Sequence, residues 1–355
     1  MVSKIVLITD THFGARSDSL IFNDFFYDFY ENQFFPYVKD HPEITAFVHL
    51  GDCLDRRKYI NYKIAKDFRE RFIANLEKMN IPCHFIVGNH DIYYKNTLDV
   101  NCYNELPLPQ NTTVYTEPTI VTISDYDMLF LPWITEESYD KVVSITSNPG
   151  VQVAMGHLEI SGFEMHSGIV SQVGHSKSMF NKLEMVMSGH YHKRSSDGHI
   201  NYLGCPYSMT WADCDDTKGF HVFDTETRTL EFIPNERNMF EKIHYNDKTT
   251  DYSQVDISKY DKKFVKVFVD NRDDYYAFDK FLDRLYNDIN VWDLKVVEDF
   301  SDLSVDFVSD DVVKESQDTI SLLERYVSEI ETNLDKERIT SKLKSLYVEA
   351  GDITL

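Results

Sequence analysis

Nothing in the 355 residues approaches the ~20 consecutive apolar positions that a membrane-spanning helix needs. The start, MVSKIVLITDTHFG, has too short an apolar stretch and no small-residue cleavage site for a secretory signal, so a cytoplasmic protein is expected. Cysteine is also scarce. Cys53, Cys83, Cys102, Cys205 and Cys214 are odd in number, widely spaced and without a CxxC pair, which argues against a disulfide framework or a zinc knuckle and predicts reduced thiols. No internal repeat is apparent. Positive charge is the third shortage: the formal net charge is -23, whereas a chain that grips nucleic acid by itself ordinarily carries a basic footprint. Bound divalent cations or a basic partner would have to supply that field. From Asp293 to Asp318 acids far outnumber bases, which reads as a solvated linker or interaction surface rather than a groove wall.

What the chain does contain is a core. Hydrophobic residues make up 42% of it and aromatics 14%, enough apolar surface to exclude wholesale disorder. The length suits one large catalytic domain with smaller additions. From Lys4 to about Pro234 short apolar runs alternate with helical patterns, the signature of an α/β layered fold. Strands are expected at Lys4–Thr9, Ala46–Leu50, His84–Val87, Met128–Pro132, Val151–Met155, Met185–Ser188, Ile200–Leu203 and Gly219–Asp224, with long helices at Asp18–Val38 and Asn61–Met79. Phe22, Phe25, Phe26, Phe29 and Tyr30 recur at helical spacing, either as core packing or as a dimer face. After Pro234 a strand (Lys263–Val269), a helix (Tyr276–Ile289) and a strand (Val291–Val297) make a small accessory domain. Two amphipathic helices within Asp318–Val348 could dock on their own domain or on a partner.

The chemistry lies just after the strands, where active sites of layered α/β sheets gather. Asp10 and His12 form a D-x-H pair whose spacing puts both side chains on one side of an extended chain. Gly51-Asp52 offers a tight turn and a carboxylate that can bridge two cations through its two oxygens. Gly88-Asn89-His90-Asp91 supplies an amide oxygen and a neighbouring imidazole; Gly156-His157 and Gly189-His190-Tyr191-His192 follow two later strands. Asp10, His12, Asp52, Asn89, His157, His190 and His192 are thus seven candidate metal ligands. Two divalent cations bring four positive charges and two carboxylates remove two, which leaves a surplus for phosphate. With metals roughly 3.5–4 Å apart, that surplus would activate a water and stabilise in-line attack. Mixed imidazole, carboxylate and amide donors without thiolate suit manganese, iron or zinc better than an all-oxygen magnesium site, with manganese the first choice and magnesium an alternative.

His90 is set apart from the ligands, because its neighbour Asn89 already points at the metals. It is expected to protonate the leaving oxygen, with Asp55 fixing its tautomer and Asp91 as the alternative. Asp55 could instead merely cap a helix. His166 and His175 are candidate substrate contacts, whereas His41, His49, His84, His199, His221 and His244 read as structural. Arg56, Arg57, Lys58 and Lys95 are candidate contacts to a phosphate backbone.

Taken together, Asp10-Thr11-His12, Gly51-Asp52-Cys53-Leu54-Asp55, Gly88-Asn89-His90-Asp91, Gly156-His157 and Gly189-His190-Tyr191-His192 resemble the calcineurin-like metallophosphoesterase superfamily over roughly the first two-thirds of the chain. Within it the chain is most similar to SbcD-type DNA double-strand-break nucleases, and among those to the recombination endonuclease subunits of T-even-like phages. The narrower likeness rests on Ile86-Val87-Gly88-Asn89-His90-Asp91 with Tyr94-Lys95-Asn96, on Leu131-Pro132-Trp133, on Phe223-Asp224-Thr225-Glu226-Thr227 with Glu231-Phe232-Ile233-Pro234-Asn235, and on Leu346-Tyr347-Val348-Glu349-Ala350.

The resemblance implies a two-sheet sandwich flanked by helices over 1–240, a small α+β capping domain over 241–300, an acidic linker over 301–317 and a C-terminal helical segment over 318–355. It further implies one metal on Asp10, His12, Asp52 and His192, a second on Asp52, Asn89, His157 and His190, and His90 as the catalytic histidine. A homodimer through the early helices, C-terminal helices that bind an SbcC-like coiled-coil ABC ATPase, and action on DNA in recombination and repair complete the implied picture. The rivals are a phosphomonoesterase or protein phosphatase with the same metals, and a non-catalytic scaffold for the ATPase.

Overall fold

The computed structural model describes residues 3–166 and 169–297 and the single residue 336. The expected acidic linker, the C-terminal helices and the Leu346–Ala350 motif lie outside the described residues. The described chain divides into two compact units, residues 3–241 with 262–264 and residues 242–261 with 265–297.

The first unit is built on two six-stranded sheets. One runs in the order Thr229–Pro234, Gly219–Asp224, Lys4–Ile8, Ile44–His49, Cys83–Ile86, Thr112–Tyr115; the other in the order Ser195–Ser196, Ile200–Tyr202, Met185–Gly189, Val153–His157, Tyr126–Leu131, Thr119–Ile123. The expected α/β layered fold holds, and all eight predicted strands are present with ends no more than two residues from those expected. Alternation within each strand explains the layering. Ile5, Leu7, Ala46, Val48 and Ile86 of the first sheet share one core with Met128, Phe130, Val153, Met155 and Met187 of the second. The intervening residues face outward: Leu129, Leu131, Ala154 and Val186 pack with Val142 of the helix Glu136–Ser147. That helix opens with a capping box in which Thr135 and Ser138 satisfy each other's main-chain amides.

Lys4–Ile8, Ile44–His49 and Cys83–Ile86 pair in parallel, as do Tyr126–Leu131, Val153–His157 and Met185–Gly189. Their carboxyl ends therefore line up. Ile8 lies opposite His49, and Gly189 opposite His157, so the loops that follow these strands emerge at common edges.

The two long helices differ from expectation. Leu20–Phe29 and Phe35–Asp40 flank a π-helical turn at Tyr30–Phe34, and Tyr62–Asp67 and Ala74–Met79 flank another at Phe68–Ile73. The wider turns coincide with a crowded aromatic junction. Phe13, the residue after His12, places its ring 5.6 Å from Tyr27 and Tyr30, 5.2 Å from Phe68 and 5.0 Å from Phe72. Phe22, Phe26, Phe29 and Tyr30 are all buried in this chain. Phe25, the fifth ring of the stripe, is half-buried, so core packing accounts for four of the five rings. Arg71 clamps Glu31 with two hydrogen bonds of 2.7 and 2.9 Å and so ties the helices together at their solvent edge.

The second unit carries most of a three-stranded sheet, ordered Phe240–Asn246, Phe264–Asn271, Asp293–Val297, and the helix Tyr275–Asn287. Asp274 caps that helix by accepting from the Ala277 amide. Phe278, Phe281 and Leu285 meet Tyr245, Val265 and Val267 in a separate core. The strand Phe240–Asn246 was not foreseen. Among the described residues no helix is long and apolar enough to cross a membrane, and none of the five cysteines is disulfide-bonded.

Candidate metal centre

All seven candidate ligands come to one place. Asp10 and His12 follow the strand Lys4–Ile8, Asp52 follows Ile44–His49, Asn89 follows Cys83–Ile86, His157 ends Val153–His157, and His190 and His192 follow Met185–Gly189. Donor atoms of Asp10, His12 and His192 lie within 4.8 Å of one another, and so do those of Asp52, His157 and His190. Asp10, His12, Asp52, Asn89, His157, His190 and His192 are all buried. The backbone is bent to achieve this: Asp10, His12, Asp52 and His190 have φ of 51°, 41°, 56° and 91°, a region that side-chain-bearing residues seldom adopt. Gly51, at φ 102°, completes the turn before Asp52. A Cβ there would lie 2.5 Å from His157 Nδ1, so only glycine lets the two loops approach.

Each donor is held by a partner. Thr9 Oγ1 donates to Asp10 Oδ2 at 2.7 Å, and the His190 amide approaches both Asp10 oxygens at 3.1 Å. The His90 amide donates to Asp52 Oδ1 at 2.8 Å. Asp52 Oδ2 is then the oxygen that faces histidines of both groups, His157 Nε2 at 3.3 Å and His12 Nε2 at 3.9 Å. Oδ1 accepts one main-chain amide and keeps a second lone pair, so both carboxylate oxygens remain able to act as donors to cations. Asn89 Oδ1 lies 3.0 Å from both His157 Nε2 and His190 Nδ1.

The donor set passes a chemical test for cations. His157 Nδ1–H donates to the Leu50 carbonyl at 2.8 Å, which fixes the tautomer and leaves the Nε2 lone pair facing Asp52 Oδ2 and Asn89 Oδ1. Three electron-rich atoms converge there, an arrangement that needs a cation or a proton between them. Burial alone would lower the His157 pKa, but the Asp52 carboxylate outweighs it and pushes the value up to about 9. Burial raises Asp10 above its ordinary range. At Asp52 burial acts the same way but is overcome by His157, His90 and His12, which hold the group well below the usual carboxylate range. His12 Nε2 and His192 Nε2 also face each other at 3.1 Å.

His90 stands beside this cluster. Its ring centroid is 4.9 Å from that of His12, and donor atoms of His12, Asp55 and His90 fall within 4.8 Å. The Asp55 atom that meets His90 Nδ1, at 2.7 Å, is the main-chain carbonyl, while the Asp55 carboxylate lies 3.7 Å from His12 Nδ1. Asp91, the alternative orienter, is occupied elsewhere. Its buried carboxylate accepts from the amides of Asp52, Cys53 and Gly88 at 2.8–2.9 Å and from the Tyr103 hydroxyl at 3.1 Å, so it locks the second and third loops together. The expectation that Asp91 serves His90 is corrected on that ground: its oxygens already face donors of the loop frame.

Other candidates scatter. His175 packs at the edge, where its amide donates to the Glu159 carbonyl at 2.7 Å; His166 ends the short strand Glu164–His166, and its side chain lies outside the described residues. Arg56 reaches Asp18 at 3.5 Å and Tyr59, whereas Lys58 and Lys95 are exposed and Arg57 is half-buried. Of the histidines read as structural, His49 is the most informative. It accepts the Gly51 amide and meets Thr11 Oγ1 at 3.0 Å, and burial pushes its pKa down to about 3, so it props the first two loops as a neutral ring.

Three further residues have places at the site that the sequence reading did not assign. Glu159 Oε1 lies 3.8 Å from His190 Nε2, a contact that holds this carboxyl below its ordinary range and orients the imidazole. Its signal was present as His157-Leu158-Glu159, an H-x-E spacing. Lys218, buried, donates to the His192 carbonyl at 2.9 Å and to Asp213 at 2.8 Å, and nothing local in sequence announces it. Trp133 walls the site with its ring 5.1 Å from that of His190. Replacing Glu159 with alanine should weaken divalent-cation affinity about 10–100-fold, as loss of a partner behind a ligating histidine typically does. Competition with a chelator would measure it, and an unchanged affinity would remove Glu159 from the site.

Comparison with known proteins adds three findings. Residues 3–194 match the family described as calcineurin-like phosphoesterase. Over 352 residues, 98% of this chain and 99% of the other, the chain is 32% identical to a protein of Enterobacteria phage T4 named exonuclease subunit 1. Among solved structures it is similar to an archaeal phosphodiesterase, at 14% identity and a TM-score of 0.31 over 65% of this chain and 99% of that one, and to a protein of Aquifex aeolicus, at 14% identity and 0.27 over 51% and 94%. Those two structural likenesses are too slight to bear on function.

Proposed function

Because the chain belongs to the calcineurin-like phosphoesterase family, we propose that it is the nuclease subunit of a DNA recombination and repair machine, cutting phosphodiesters as an exonuclease and endonuclease. The observation that carries this reading is Asp52 Oδ2 standing between two groups of buried donors, with His90 beside them. The likeness to a named exonuclease subunit along nearly the whole chain supports the choice of substrate.

Two divalent cations, with manganese preferred, would be held by Asp10, His12, Asp52 and His192 and by Asp52, Asn89, His157 and His190, and would supply Lewis acidity and an activated water. The chain's own part begins with rigidity. Thr9, Glu159, the Leu50 carbonyl and the His90 amide each fix one donor, so little reorganisation is left for the moment of reaction. His90 has its Nδ1–H committed to the Asp55 carbonyl, which leaves Nε2 to exchange a proton with the leaving oxygen. Arg56, Arg57, Lys58 and Lys95 would meet the phosphate backbone and position it without reading sequence. Their field offsets a chain that is otherwise strongly acidic.

The same reading gives the chain partners. DNA is the substrate, an SbcC-like coiled-coil ABC ATPase binds the segment 318–355, residues 241–300 serve as an accessory domain that contacts DNA, a second copy of the chain pairs through the helical segments near 18–38 and 61–79, and the complex works in the cytoplasm. Removing residues from 317 onward should leave basal hydrolysis within about twofold, since no proposed ligand lies there, yet abolish co-purification with the ATPase. Retained co-purification would overturn that assignment.

End-labelled linear duplex and single-stranded DNA, incubated with the purified chain and manganese or magnesium, test the central claim. Shortened products support it. Release of phosphate from a small monoester without any DNA product would instead favour the phosphomonoesterase reading, and purification without transition metal would favour a scaffold.

A further inference from the structure

The two loops that bring Asp52 and His90 to the site continue into a surface rich in cations and open aromatic rings. Between Arg56 and Lys66 there are five cations, Arg56, Arg57, Lys58, Lys63 and Lys66, and no acid, in a protein of net charge -23. Large aromatic side chains are exposed among them: Tyr59 at 60%, Tyr94 at 53% and Tyr93 at 39%. Rings as open occur elsewhere, at Tyr62, Tyr275 and Tyr276, but Tyr59, Tyr93 and Tyr94 stand on the loops that carry Asp55 and His90. The cations already lie over the rings, with the Arg56 guanidinium 4.9 Å from the Tyr59 centroid and Lys58 Nζ 5.6 Å from that of Tyr93. Tyr93 and Tyr94 stand edge to face at 4.7 Å. A cleft of about 150 Å³, lined by Arg56, Arg57, Lys58, Tyr59, Tyr93 and Leu106 among others, opens between the loops.

This surface is continuous with the hydrolytic centre. The His90 ring is bonded to the Asp55 carbonyl, Tyr93 follows three residues after His90, and Tyr59 follows four after Asp55. Extended chain of those lengths reaches at most about 11 and 14 Å. The Tyr93 amide, bonded to the Val100 carbonyl at 2.9 Å, keeps that loop from straying.

We propose that Tyr59, Tyr93 and Tyr94 form a stacking subsite for unpaired nucleobases beside the scissile phosphate, with Arg56, Arg57 and Lys58 neutralising the flanking phosphates. The proposal rests on the nuclease reading above and names which part of the DNA the site engages. Aromatic faces interleaved with cations suit single strands, because every unpaired base presents a π-face whereas a paired base hides it in the duplex. Phosphate binding alone would require only the cations.

The test compares a short fluorescent oligothymidylate with the same strand carrying abasic positions, which keeps the phosphates and removes the bases. Binding to the full-length His90→Ala protein with manganese is read by anisotropy, and a 2-aminopurine in the strand reports stacking by quenching. Loss of the bases should weaken binding about tenfold, within the range of one or two stacked bases. Adding Tyr59→Ala and Tyr93→Ala should cost the intact strand the same factor, leave the abasic strand unaffected and abolish the quenching. Phenylalanine at both positions should restore binding. Equal affinity for intact and abasic strands, or alanine variants that bind both as before, would overturn the subsite. Manganese-dependent cleavage by the wild-type chain, run in parallel, separates the two claims: cleavage with no dependence on bases sinks only the subsite, whereas neither cleavage nor binding sinks the nuclease reading with it.

Discussion

Replacing His90 with alanine is expected to leave the bound metal at its wild-type stoichiometry and to lower phosphodiester cleavage by about 10²–10⁴-fold, the usual worth of a positioned acid. Retention of the metal follows from which atoms are lost. Asp52 Oδ1 is held by the His90 main-chain amide, and alanine keeps that amide. The ring contributes instead through Nδ1, bonded to the Asp55 carbonyl at 2.7 Å, and through its place 4.9 Å from the His12 ring. Because the carbonyl can only accept, Nδ1 keeps its proton in both charge states, so Nε2 is the nitrogen that gains a proton to form the imidazolium and gives it up to a departing oxygen. Elemental analysis beside single-turnover cleavage would decide the matter. Loss of metal, or a rate within about tenfold of wild type, would exclude His90 as the acid.

Gly88→Ala should disarm the centre without altering a single donor. A Cβ at Gly88 would fall 2.2 Å from Asp52 Oδ1 and 2.4 Å from the Asp52 main-chain nitrogen. The glycine's own φ is unremarkable, so the cost is steric rather than conformational. The nitrogen cannot swing aside as a side chain could, because it is bonded to Asp91 at 2.9 Å. Relief requires moving the loop of Asp52, and with it the oxygen that faces both donor groups. Overpacking of this kind costs about 1–3 kcal/mol, which lowers the melting temperature by roughly 2–4 °C per kcal/mol for a domain of this size. Bound metal should fall below wild-type stoichiometry and cleavage should follow it. Gly150→Ala is the control, since a Cβ there meets nothing within 4 Å and the change costs only the strain of its φ of 67°. Full metal content and normal melting in Gly88→Ala would mean that the two loops are looser than their hydrogen bonds imply.

The donors were legible in the sequence because each is announced locally, by a glycine or threonine at or just past the end of a strand and a ligand one to three residues on. What the sequence concealed depends on partners far along the chain. Asp91 looked like a neighbour of His90, yet its carboxylate serves amides at Asp52 and Cys53, 39 and 38 residues away. Lys218 reaches the His192 carbonyl across 26 residues with no motif around it. The strands Thr112–Tyr115 and Thr119–Ile123 went unpredicted because they lie at the edges of their sheets, where half-exposed threonines dilute the apolar alternation. The strand Phe240–Asn246 was hidden by the charged residues between its buried Phe240, Ile243 and Tyr245. The π-helical turns have no sequence signal of their own; they arise where Phe13 enters the ring cluster of two helices.

Each group of donors draws on both sheets. Asp10 and His12 come from the first and His192 from the second; Asp52 comes from the first and His157 and His190 from the second. Neither sheet by itself presents a complete set. A ribosome delivers the chain from its amino end, so a nascent polypeptide can finish every strand through Val153–His157 and still lack both His190 and His192. The growing chain is thus chemically silent until most of the first unit has been translated and its two sheets have met. If the proposed hydrolysis needs the full donor set, a product truncated before His190 cannot cut, and the order of synthesis gives the activity a built-in delay.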